Sequence, residues 1–151
     1  MILLEEDCYH PDGSDCGWYG ECLAKRFPCV GETNYAVDFG KKYCELFEEN
    51  YDEFSANARL WIEAVKKCLQ VELARFLLPS VNDTLPTCDD VKSAAFDSHV
   101  PCYVKPKASV CRLGLTDWWK IFWTIRTSFV DDFRMTSTGF VKIAGKCLGI
   151  W

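Results

Sequence analysis

Ten cysteines carry the densest potential chemistry in this 151-residue chain: Cys8, Cys16, Cys22, Cys29, Cys44, Cys68, Cys88, Cys102, Cys111 and Cys147. A cysteine can ligate a metal, cycle in a redox motif or pair in a structural disulfide. No two are spaced Cys-x-x-Cys and only two histidines exist, so zinc clusters and thioredoxin-type motifs lack their signatures. Reducing thiol pools would keep so many cysteines free in the cytosol. Five structural disulfides in an extracellular protein is the remaining reading, and the even count obliges no cysteine to join a second chain.

Other reactive groups are sparse. Catalysis needs an acid, base or nucleophile held by an orienting partner. His10, in Cys8-Tyr9-His10-Pro11-Asp12, and His99, before Val100-Pro101-Cys102, read as loop or helix-end residues. The 22 acidic residues are too many for a glycosidase pair to stand out. Glu72 falls near Val65 and Phe76 in helical projection, and burial there would raise its pKa and suit a general acid. The edge of the buried stripe is its expected place. Asp12-Gly13-Ser14-Asp15 offers oxygens for calcium but lacks the spaced ligands and final Glu of an EF-hand. An Asx-turn leading into a capped helix explains it. Glu48-Glu49 and Asp131-Asp132 read as solvated surface. The expectation is a protein that is not an enzyme and needs neither cofactor nor metal.

The most unusual stretch is Asp117-Trp118-Trp119-Lys120-Ile121-Phe122-Trp123-Thr124-Ile125-Arg126. At 100° per residue Trp118, Ile121, Phe122, Ile125 and Phe129 form a core-facing stripe. Trp119, Trp123 and Val130 form a second, with Arg126 between the two, which leaves Lys120, Thr124, Thr127 and Asp131 for solvent. Both stripes can be core. Alternatively Trp119 and Trp123 stay partly exposed beside Arg126 as partner-binding residues, since Trp and Arg dominate binding hot spots. The polar side lacks the basic excess of a membrane-surface helix.

These residues need positioning elements, and the hydrophobic periodicity is helical nearly throughout. Ser14 or Asp15 caps a short helix carrying Cys16, Tyr19, Cys22 and Leu23, and Pro28-Cys29-Val30-Gly31 is a turn. An amphipathic helix runs from about Tyr35 to Tyr51, with Asp38, Lys41, Lys42 and Glu45 opposite its apolar arc. The longest helix runs from about Ser55 to Leu78, burying Trp61, Val65, Cys68, Leu69 and Phe76, and Pro79 stops it. Thr87 and Asp90 form a capping box for a fourth helix ending near Pro101. Pro106 and Gly114 mark an extended connection. Thr116 caps a fifth helix to about Phe133, and a short last helix from near Ser137 carries Cys147. The fold class is all-α, a single disulfide-stapled domain of about five to six helices over residues 1–151.

Hydrophobic residues make up 49% and aromatics 15% of the chain, which excludes disorder on composition. A net charge of −5 repels phosphate backbones, so no nucleic-acid partner is expected. No apolar run approaches the roughly 20 residues of a transmembrane segment. Met1–Asp7 is too short and acidic for a signal peptide, and the expectation is a start at or near a processed N-terminus. Asn82-Asp83-Thr84, between Pro79 and Pro86, is a glycosylation sequon in an accessible loop. With the cysteines it supports a secreted, extracellular location.

Successive cysteines are separated by 7, 5, 6, 14, 23, 19, 13, 8 and 35 residues. This spacing resembles the half-cystine framework of the stanniocalcins, secreted glycoprotein hormones. The best local match is Phe54-Ser55-Ala56-Asn57-Ala58-Arg59-Leu60-Trp61-Ile62-Glu63-Ala64-Val65-Lys66-Lys67-Cys68, similar to the family's Phe, small, aromatic, aliphatic, Lys-Cys run. Cys22-Leu23, Phe47 after Cys44, and Cys102-Tyr103 also resemble family positions. The likeness covers about Cys8 to Cys111 and arguably reaches Cys147. It implies the pairs Cys8–Cys22, Cys16–Cys44, Cys29–Cys88, Cys68–Cys102 and Cys111–Cys147, a connectivity that spacing alone leaves open. Two features depart from the family. The sequon between its third and fourth cysteines is missing from Leu23–Pro28, and no eleventh cysteine exists to link two chains. The disulfide-linked dimer and the endocrine role are therefore not carried over.

The function expected is a secreted, protein-binding signalling or inhibitory glycoprotein. The alternative is an extracellular binder of a small apolar ligand or lipid, or a channel- or membrane-directed toxin, since Trp and Tyr can line a pocket. A binding factor needs Trp119 and Trp123 exposed together, without a deep cavity. A carrier needs a cavity of several hundred Å³, and a hydrolase needs Glu72 at the floor of a cleft. Thiol titration of the unreduced, denatured protein is expected to find less than one free thiol per chain, and ten only after reduction.

Overall fold

The longest helix, α3 (Ala56–Ala74), begins because Ser55 supplies its own cap, the Oγ accepting from the Ala58 N–H at 3.2 Å. Ala58, Trp61, Ile62, Val65, Cys68 and Leu73 bury one broad side, so its register follows the three-to-four-residue spacing of apolar positions. The computed structural model describes residues 4–29, 34, 36–78, 86–105 and 109–149, excepting the side chains of residues 36–38 and 131. Tyr35, Pro79, the Asn82 sequon and Pro106 lie outside the described residues, as do the side chains of Asp38 and Asp131 and the Val30-Gly31 end of the expected turn.

All described regular structure is helical. Around α3 stand α1 (Ala24–Arg26), α2 (Lys42–Glu49), α4 (Cys88–Tyr103), α5 (Leu115–Ile125), α6 (Ser128–Asp131) and α7 (Phe133–Cys147). Wider π-type turns at Tyr19–Leu23 and Ala36–Lys41 lead into α1 and α2. α3 packs on α4, α4 on α7, α2 on α5 and α6 on α7. One core cluster joins Trp18, Tyr19, Leu23 and Phe27 to Leu73, Leu77, Val91 and Ala95. The other joins Phe47, Phe54, Trp61, Ile62, Val65, Val100, Tyr103, Ile121 and Ile143.

All ten half-cystines pair, as Cys8–Cys22, Cys16–Cys44, Cys29–Cys88, Cys68–Cys102 and Cys111–Cys147. The connectivity coincides with the one that the resemblance implies. The first four loops interleave along the chain, and the fifth closes on itself. Each can contribute about 2–4 kcal/mol by restricting the unfolded ensemble.

Several boundaries differ from the sequence reading. The capping box of α4 forms, with the Thr87 N–H donating to Asp90 at 2.8 Å and the Asp90 N–H to Thr87 Oγ1 at 3.1 Å. The helix then runs past Pro101 to Tyr103. Proline there forfeits one helical bond, while Cys102 is tied to Cys68 and Tyr103 is buried. Thr116 does not cap α5. Gly114 occupies the cap position and Thr116 is exposed within the first turn. The fifth helix does not reach Phe133, because the chain breaks after Ile125 and again at Asp132. Asp132 accepts from the Met135 N–H at 3.3 Å and pairs with Lys92 at 3.2 Å. α7 therefore starts at Phe133, four residues ahead of Ser137, and is 15 residues long.

Gly13 closes the N-terminal turn against α3 at φ +88°, where an added Cβ would lie 2.4 Å from the Lys67 nitrogen. Left-handed geometry and backbone overlap both oppose any side chain. Gly13→Ala is expected to lower unfolding stability by about 2–5 kcal/mol, the sum of left-handed strain and overpacking, read from the denaturant midpoint with disulfides intact.

Candidate functional site

α5 is anchored by a carboxylate that its sequence pattern hides. Asp117 is buried and accepts from the Ser55 hydroxyl at 2.6 Å and the Ser55 N–H at 3.3 Å, bracing α5 on the start of α3. Ile121, Thr124 and Ser128 continue this buried row. The residues assigned to solvent behave otherwise. The Thr124 hydroxyl is buried and donates to the Lys120 carbonyl at 2.7 Å, Lys120 donates to the Glu53 carbonyl, and Thr127 pairs with the Tyr43 hydroxyl at 2.9 Å. A threonine that bonds its own helix carries little desolvation cost, so this edge can pack against the chain leading out of α2.

Within the expected core stripe Ile121 is fully buried, whereas Trp118, Phe122, Ile125 and Phe129 are half-buried. The second stripe is not core. Trp119 is 61% and Trp123 53% exposed, and Val130 is exposed beyond them. The two indoles stack at 6.0 Å with 28° between planes, and the Arg126 guanidinium lies 4.0 Å from the Trp123 ring centroid. Arg126 also donates to the Trp123 carbonyl at 2.5 Å. From Trp119 ring contacts run inward through Phe122, Phe129 and Phe140 to Trp118. Each such contact contributes about 0.5–1.5 kcal/mol beyond buried area. The face is thus an exposed, laterally braced row of rings.

Behind it lies a cavity of about 120 Å³, walled by Tyr19, Phe47, Trp61, Tyr103, Ile121 and Ile143 among others. This is below the several hundred Å³ that a carrier of larger ligands requires, and the hollows of about 570 and 510 Å³ bordering Asp12 are lined mostly by charged and polar side chains. His99 lines it, half-buried, between the Phe96 and Tyr103 rings, with Nδ1 2.7 Å from the Ala95 carbonyl. Burial pulls the imidazole below its ordinary pKa against that hydrogen bond. Burial also pushes the Tyr19 and Tyr103 phenols above their ordinary value. The cluster's members Tyr19, Phe47, Trp61, His99 and Ile121 stand out one by one in the sequence, but they come from several elements, and no spacing along the chain says that they meet.

The remaining candidates are dispersed. Glu72 is half-exposed and pairs with Arg75 at 3.0 Å, at the edge of the stripe and away from the walls of the cavity. His10 is exposed, 3.3 Å from Glu6. Asp12 accepts from the Ser14 N–H at 2.9 Å and hydroxyl at 2.6 Å, bonds that hold its carboxyl below the ordinary carboxylate range. Asp15 accepts from the Gly17 N–H at 2.8 Å. This is the expected Asx-turn. Among the described residues, Cys16, Cys44 and Glu48 have metal-ligand proximity, but the two sulfurs are spent on their mutual bond. No described helix is long and apolar enough to cross a membrane.

The depressed His99 pKa fixes a pH dependence. The unfolded chain takes up its proton first, near the ordinary histidine value, so stability is full above that value and falls with acidification through it. Melting temperature is expected to fall between pH 7 and pH 5, and His99→Gln to flatten that slope, in a differential scanning calorimetry series. No family model, curated protein or solved structure matches the chain.

Proposed function

We propose that the chain is a secreted protein-binding factor, a signalling or inhibitory glycoprotein resembling the stanniocalcins, rather than an enzyme. Joint exposure of Trp119 and Trp123 beside Arg126 carries this reading. Large rings held by their neighbours lose little entropy on docking, and a desolvated arginine adds directional hydrogen bonds. The fitting partner is a protein with an apolar groove edged by a carboxylate. Five disulfides support an extracellular location. Glycosylation at Asn82 belongs to the same proposal.

The test compares the wild-type chain, Trp119→Ala/Trp123→Ala and Val71→Ala as baits in native extracellular fluid, with quantitative mass spectrometry. Hot-spot truncation costs about 2 kcal/mol or more, so the partner's affinity should fall at least thirtyfold in the double variant. Val71→Ala, on α3, should retain it. A captured protein indifferent to the two indoles, or capture of small molecules alone, would overturn the reading.

A further inference from the structure

The cavity holds polar groups that neither packing nor the contact face uses. Tyr19 and Tyr103 both line it, at 2% and 8% exposure. Neither phenol hydroxyl hydrogen-bonds to a described residue, and neither is sealed off, since Ser137 Oγ alone is an enclosed unsatisfied side-chain atom among those residues. The two rings are close enough to influence each other electrostatically. His99 adds a third group. The Ala95 carbonyl can only accept, so Nδ1 carries the proton and Nε2 of the neutral ring is a free acceptor. Lys66, also at the wall, is committed to Glu48 at 2.7 Å.

We propose that this pocket binds a small uncharged aromatic molecule bearing one hydroxyl group, no larger than phenol. The pocket offers about 120 Å³ and is partly open, so a single ring can seat with one edge outside it, where a closed apolar cavity needs about 150 Å³ to accommodate benzene. Phe47, Trp61, Tyr103 and Phe122 offer ring faces and edges to an aromatic guest. A ligand hydroxyl donates to an imidazole nitrogen and accepts from a phenol, matching what the walls offer. A carboxylate is disfavoured, because no uncommitted cation stands among the described walls to compensate its desolvation. The site is separate from the contact face and stands or falls independently of it.

The test titrates the intact, oxidised protein with phenol, benzene and benzoate while following the methyl resonances of Ile121 and Ile143, which line the cavity. Phenol should give saturable shifts at an affinity about tenfold tighter than benzene, as one or two neutral hydrogen bonds allow, and benzoate should give none. Tyr19→Phe and Tyr103→Phe should bring the phenol-to-benzene ratio toward one while benzene still binds, which verifies an intact cavity. Should a variant fail to fold, the wild-type selectivity decides alone. No saturable shift with phenol, benzene binding as tightly as phenol, or benzoate binding as tightly as either would overturn the proposal. So would a ratio that both variants leave unchanged.

Discussion

Short helices do not stand alone in water: below about 12–15 residues the nucleation penalty outweighs propagation. α2 has 8 residues, α5 has 11, and α1 is a single turn of 3. The sulfur bonds hold such elements in register. Cys16–Cys44 ties the N-terminal turn to α2, Cys29–Cys88 fastens the start of α4, and Cys68–Cys102 clamps α4 along α3. Because the crosslinks raise the free energy of the unfolded chain, the interior need not be packed to its densest possible state. An aromatic-walled space beside Tyr19 and Tyr103 is tolerable in such a frame, where a domain held by its core alone would lose a large fraction of its stability.

α5 shows how one helix can serve two masters. Its Asp117, Ile121 and Thr124 turn inward, in a row that Ser128 of α6 continues, and Trp119 and Trp123 turn outward beside Arg126 at its C-cap. The half-buried Trp118, Phe122 and Ile125 between them line the cavity. The inward row is held to α3 by the Ser55–Asp117 bonds and by the burial of Ile121, while Thr124 and Ser128 satisfy their hydroxyls on the backbone of their own turns. That frees the largest apolar side chains for other surroundings. Rings that would ordinarily fill a core stay at the surface.

Much of this was legible from residue order. The start of α3 near Ser55, the Thr87–Asp90 capping box and the Asp12 turn each rest on contacts within a few residues, and each formed where its local chemistry required. The buried side of α3 followed from spacing, because α3 is covered along one broad arc. α5 defeated the same method. Periodicity ranks faces by apolar content, and an aspartate and a threonine on one face lower its rank. Ser55 and Asp117 stand 62 positions apart, and nothing in the sequence between them signals that the two bond. The break at Asp132 was hidden for a similar reason, because its helix-capping role and its pairing with Lys92 compete against an apolar pattern that reads straight through. Trp119 and Trp123 were singled out by type, yet whether they were covered depended on the rotation of α5, which tertiary hydrogen bonds set.

The interleaving of the disulfide loops has a topological corollary. Any single backbone cut from Cys8 to Cys102 is spanned by at least one sulfur bridge, and so is any cut from Cys111 to Cys147. Between Cys102 and Cys111 nothing spans the chain. Hydrolysis of one peptide bond after Tyr103 and before Cys111 would leave two covalently independent pieces under oxidising conditions. The smaller piece would carry the whole tryptophan row and its own staple, and the larger would retain both phenols.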